Sequence, residues 1–66
     1  MNQEDKMLLK PGMTVVNSHM FLMRIETVTH PTGAKRKIKA TGRMLLVTGQ
    51  FASEAQPINP NNWEIL

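Results

Sequence analysis

Five of the chain's eight basic residues, Lys35, Arg36, Lys37, Lys39 and Arg43, fall within nine positions, and no acidic residue interrupts them. Ammonium and guanidinium groups at this density point to the binding of clustered anions. Each phosphate they neutralise releases condensed counterions, and the gains accumulate over several contacts. Arg36 and Arg43 can in addition fork onto a phosphate or a guanine edge. The competing reading is that the lysines keep an edge strand soluble and unpaired. Residues 24–43 hold six positive charges, Arg24 among them, and one negative, Glu26, for a local net of +5. The rest of the chain sets Lys6 and Lys10 against Glu4, Asp5, Glu54 and Glu64, a net of −2. Such segregation steers a polyanion towards one part of the molecule.

The other residues able to do chemistry are sparse. His19 and His30 both fall in turn signals and share no ligand spacing with a carboxylate, so no metal site is expected. Cysteine is absent, which removes disulfides and thiolate metal sites. Acid–base catalysis needs two carboxylates, or one with a histidine, held in a pocket. Here Glu4 and Asp5 open the chain, while Glu26 is placed to pair with Arg24 on a strand surface. We therefore expect neither enzymatic activity nor a cofactor.

Of the three aromatic residues, Phe21 and Trp63 read as core, and Phe51, beside a loop, is the candidate for stacking on a base. This shortage favours contact with a nucleic-acid backbone over sequence-selective stacking. Methionine is abundant and suits both gap filling and adaptable contact surfaces. Met20, Phe21 and Leu22 leave more apolar side chains than one inner face of a strand can take, and Met20, Leu22 and Val28 mark a candidate protein interface.

The elements that must position these groups are short. A chain of 66 residues forms one small domain with a thin core. Residues 1–9 read as a short flexible leader containing one helical turn too brief to stand alone, and residues 10–66 as the domain. Lys10-Pro11-Gly12-Met13 is a turn, followed by a strand over Met13–Asn17. From Phe21 to Thr29 the residues alternate, with Phe21, Met23, Ile25 and Thr27 on one face and Leu22, Arg24, Glu26 and Val28 on the other. His30-Pro31-Thr32-Gly33 ends that strand.

A third strand is expected over Lys35–Thr41. Lys35, Lys37 and Lys39 would share one wet face, because burying unpaired ammonium groups is too costly. Gly42-Arg43 reads as a turn or bulge, Met44–Thr48 as the central strand, and Gln50–Gln56 as a looser connection. Pro57–Asn62 suits a tight helical turn, and Trp63–Leu66 a last short strand. Five short strands with closely spaced turns predict an all-β protein, most economically a closed barrel without exposed edges.

This order of elements resembles the Src-homology-3-like (SH3-like) barrels. Lys10-Pro11-Gly12-Met13-Thr14-Val15 is similar to the turn that opens many bacterial members, and Pro60-Asn61-Asn62-Trp63-Glu64-Ile65-Leu66 to their closing helical turn and final strand. The resemblance implies a five-stranded SH3-like barrel with one short helical turn before the last strand. The aromatic loop used by proline-peptide binders is missing. The type II dihydrofolate reductases share the barrel, but the corresponding stretch here, Ala55-Gln56-Pro57-Ile58-Asn59, lacks their tyrosine, so that activity is not carried over. Ribosomal, transcription-factor and RNA-chaperone barrels imply nucleic-acid binding.

The expectation is a non-catalytic binder of DNA or RNA acting through residues 35–43 with Arg24. The alternative is a protein-interaction module, such as an accessory or inhibitor factor of phage, plasmid or bacterial type, which self-assembles or takes a protein partner. No apolar run approaches the roughly 20 residues that cross a bilayer, and the polar opening lacks the pattern of a secretory signal. A cytoplasmic protein without membrane contact is expected.

Overall fold

The Lys10–Met13 turn closes with the Met13 N–H donating to the Lys10 carbonyl at 3.2 Å. Gly12 supplies the positive φ of +93° that follows a proline at the turn's first central position. The computed structural model describes residues 1–30 and 37–66. It contains α1 (Gln3–Leu8), β1 (Thr14–Asn17), β2 (Leu22–Thr29), β3 (Lys39–Met44), β4 (Gln56–Ile58), a 3-10 turn (Pro60–Asn62) and β5 (Trp63–Ile65). The strands form one antiparallel sheet in the order β4-β3-β2-β1-β5. The protein is therefore all-β in class, with the expected helical turn directly before its last strand, confined to Pro60–Asn62 because Pro57 and Ile58 pair in β4. The sheet is not closed into a barrel. Its edges are β4, where Pro57 lacks an N–H to offer a neighbour, and β5.

The opening residues are tied to the sheet. Asn2 caps α1 by accepting the Asp5 N–H at 2.8 Å, and Glu4 and Asp5 lie in the first turn, where the helix dipole favours acids. Met1 and Leu9, on either side of the helix, are both buried. They join Val15, Met23, Ile25, Ala40 and Trp63 in the core, with Met13, Val28, Met44, Ile58 and Ile65 packed at its margin. Burial of those two side chains supplies the tertiary support that a six-residue helix cannot find in itself.

The basic strand starts later than expected. β3 begins at Lys39, so Lys37 and Ile38 precede it as irregular chain. Lys35 and Arg36 lie outside the described residues. The physical limit is the partner: β2 ends at Thr29, whose cross-strand neighbour is Lys39, so the described Lys37 and Ile38 lie beyond its last rung.

The apolar run Met44–Thr48 is not a central strand either. Met44 ends β3, Leu45 bridges to Phe51, and Leu46–Gly49 form a turn in which the Gly49 N–H donates to the Leu46 carbonyl at 3.0 Å. Gly49 takes a φ of +86° there, and Val47 is fully exposed at the tip. The central strand is β2, and the segment expected as a loose connection ends in β4, which pairs Gln56–Ile58 with Ala40–Gly42.

Gly42 sits inside β3 opposite Ile25, at the rung where the register with β2 shifts, so of the expected turn or bulge it is the bulge that is found. A Cβ at Gly42 would stand 2.7 Å from the Arg24 carbonyl oxygen and 2.7 Å from Met23 Cγ. Methionine can yield, but the carbonyl belongs to the neighbouring strand and cannot. Gly→Ala stabilises by about 0.4–1 kcal/mol through the unfolded chain, whereas overpacking costs about 1–3 kcal/mol. Gly42→Ala should thus be destabilising on balance, lowering the melting temperature followed by circular dichroism by about 4–8 °C for each kcal/mol lost. A melting point at or above that of the wild type would show that β2 and β3 are not in this close contact.

Candidate nucleic-acid interface

A bulge in β2 decides which side chains meet solvent. The register passes from Ile25–Gly42 to Thr27–Thr41, so β2 advances two residues while β3 advances one. Parity changes at Glu26. Thr27 therefore faces outward, its hydroxyl 2.6 Å from that of Thr41, and Val28 turns inward opposite buried Ala40. Val28 packs on the core margin, which corrects its assignment to a partner surface. Strict alternation without the bulge would have put it outside.

The outer face of β2 and β3 then reads in rungs. Lys39 stands opposite Thr29, Thr41 opposite Thr27, and Arg43 opposite Arg24. Lys39, Thr41 and Arg43 alternate with the buried Ala40 and Gly42, so they share one side over about 14 Å of strand. Lys37 leads into this row and is exposed. Of the expected site residues, Arg24, Lys37, Lys39 and Arg43 are placed, three of them on one sheet face. Of the expected row of lysines at 35, 37 and 39, Lys39 stands on the ladder with the two arginines further along it, Lys37 precedes it as irregular chain, and Lys35 lies outside the described residues.

Two of these cations have partners. Arg43 Nε forms an ion pair with the Glu26 carboxylate, so the anticipated Glu26–Arg24 pair is not formed. The bulge places Glu26 beside the Arg43 rung. Arg24 instead lays its guanidinium over Phe51, 4.0 Å from the ring centroid, a contact worth about 0.5–1 kcal/mol at an exposed site. Phe51 is thus half-buried and covered, not the open platform expected for base stacking.

Apolar residues border this face. Val16, Leu22, Leu45 and Phe51 follow one another across the sheet as neighbours in register. Beyond them the ends of two hairpins expose Met20 and Phe21 on one and Leu46 and Val47 on the other. Phe21 is 52% exposed, so it does not fill the core, whereas Trp63 does. The tight β1–β2 turn explains this: the Asn17 side chain accepts the N–H groups of His19 and Phe21, Met20 takes a φ of +65°, and the ring lies beside His19. Met20 and Leu22 remain at the surface, the latter half-buried.

Among the described residues no three acidic or histidine side chains gather as a metal site, and no helix is long and apolar enough to cross a membrane. The molecule belongs, on this geometry, to the small all-β proteins built on a five-stranded antiparallel sheet. No family model, curated protein or solved structure matches the chain.

Proposed function

We propose that the protein is a non-catalytic nucleic-acid-binding domain of the SH3-like barrel kind, open between β4 and β5. The observation that carries this reading is the outer face of β2–β3, where Lys39, Arg43 and Arg24 stand together with Glu26 as the one acid among them. Lys37 adjoins them in space, and Lys35 and Arg36 adjoin them in sequence. The strand order, with β5 beside β1 and the 3-10 turn before it, supports the barrel reading. Cations on a β ladder are held apart at fixed spacing, which suits a repeating chain of phosphates and gives no means of reading sequence.

The reading is tested by measuring the affinity for generic DNA and RNA oligonucleotides from about 50 to 200 mM salt. With four to six phosphate contacts, affinity should fall by about two to three orders of magnitude over that range. The absence of binding at the lowest salt would remove the proposal.

A second reading, a protein-interaction or self-assembling module, is favoured by the exposed Met20, Phe21, Leu46 and Val47 at neighbouring hairpin ends. Strictly monomeric sedimentation at high concentration would eliminate self-assembly. Loss of self-association on Phe21→Ser and Val47→Ser would support it.

A further inference from the structure

A groove of 520 Å³ opens where α1, the run into β3, β4 and the 3-10 turn meet. Lys6, Lys37 and Lys39 all line it, although Lys6 lies some thirty positions from the other two in sequence. Among the described residues the only ion pairs are Met1–Glu64 and Glu26–Arg43, so none of these three lysines is matched by a carboxylate there. Glu4 and Asp5 are two and one residues before Lys6, positions that do not share its helix face. Gln3, three residues before it, does share that face and also lines the groove. Ile38, Ile58 and Pro60 make part of the wall apolar. Asn61 adds an amide that can donate and accept; its backbone N–H is already held by the Asn59 side chain at 3.0 Å.

Three unpaired cations around a partly apolar hollow, with amides at its border, are poorly used by a duplex. A duplex offers mainly its charged exterior and keeps its bases stacked inside. A single strand offers phosphates to the lysines, a sugar or base face to the apolar wall, and hydrogen-bonding edges to the amides. The volume lies within the range of about 300–1,000 Å³ typical of sites that enclose a small ligand. We infer that this groove takes a segment of single-stranded nucleic acid, and that Lys6 of α1 is a phosphate-binding residue acting together with Lys37 and Lys39. The inference rests on the nucleic-acid reading above and extends it by naming the strandedness and the path.

The test uses the full chain and fluorescence anisotropy with a labelled oligothymidylate of about twelve nucleotides, a matching oligouridylate, and a duplex of the same length. Lys6→Gln keeps helix propensity while removing the charge. It should weaken single-strand binding about tenfold and reduce the slope of log affinity against log salt by about 0.7, the loss of one contact. Asn61→Asp, in a different element, should weaken binding to a similar extent by placing a negative charge in the groove; it keeps the test valid if the Lys6 variant fails to fold. Lys10→Gln removes the same charge outside the groove and should leave affinity within about twofold of the wild type. Equal losses at Lys6 and Lys10, full affinity in both groove variants, or a preference for the duplex would overturn the groove while leaving the broader nucleic-acid function standing. Failure of the wild type to bind any of the three oligonucleotides at low salt would sink both.

Discussion

Replacing Trp63 by alanine should abolish the cooperative thermal transition of this protein. The indole is 8% exposed and belongs to the one core cluster, with Met1, Leu9, Val15, Met23, Ile25 and Ala40. Removing a buried tryptophan typically costs about 3–5 kcal/mol, through lost transfer free energy and the cavity left behind. A domain of 66 residues has a total stability of roughly 3–10 kcal/mol at ordinary per-residue values. Trp63 also has a second role. Its backbone N–H donates to the Pro60 carbonyl and so ends the 3-10 turn, and it opens β5, which has only three residues to hold against β1. Loss of the anchor should release the edge strand with the side chain. As Trp63 is the sole tryptophan, far-UV circular dichroism is the proper probe. Trp63→Phe, which keeps a ring in place, should retain a cooperative melt at lower temperature. An alanine variant melting within a few degrees of the wild type would show that β5 is anchored by something else.

The second large effect is expected at the surface. Reversing both Lys37 and Lys39 to glutamate changes the local charge by four units without touching a buried side chain, since both residues are exposed. Folding stability should stay within about 0.5 kcal/mol per site. Affinity for nucleic acid, by contrast, should fall by about a hundredfold or more at low salt, because two phosphate contacts are lost and two repulsions added. If the Lys37/Lys39 variant binds within about twofold of the wild type, the basic face is only a solubilising edge.

Much of the fold is legible in the residues themselves. Proline and glycine at 11 and 12 specify the first turn because one fixes φ and the other accepts its positive value. The period of two from Met23 to Ile25 specifies a strand with those two side chains inward, and the polar, proline-bearing run before Trp63 specifies the 3-10 turn. The charge segregation that suggests a polyanion is likewise a property of composition alone. These features are local, set by backbone angles and by the cost of burying charge, and need no knowledge of what lies across the sheet.

Only the tertiary structure decided the rest. Where β3 starts depends on where β2 stops, so among the described residues Lys39, opposite Thr29, takes the first rung. Gly42 hints at a bulge, but that the extra residue is Glu26, on the opposite strand, is a mismatch between two strands that neither shows alone. It sends Val28 inward, brings Thr27 to Thr41, and gives Arg43 rather than Arg24 the carboxylate. The Leu46–Gly49 turn exposes an apolar run that hydrophobicity alone would bury, because its two sides pair with each other and no strand lies beyond its tip. The meeting of Lys6 with Lys37 and Lys39 arises from the docking of α1 through Met1 and Leu9. Side chains distant along the chain come to share one groove only when burial elsewhere holds their backbones together, and residue types and spacing carry no record of that distance.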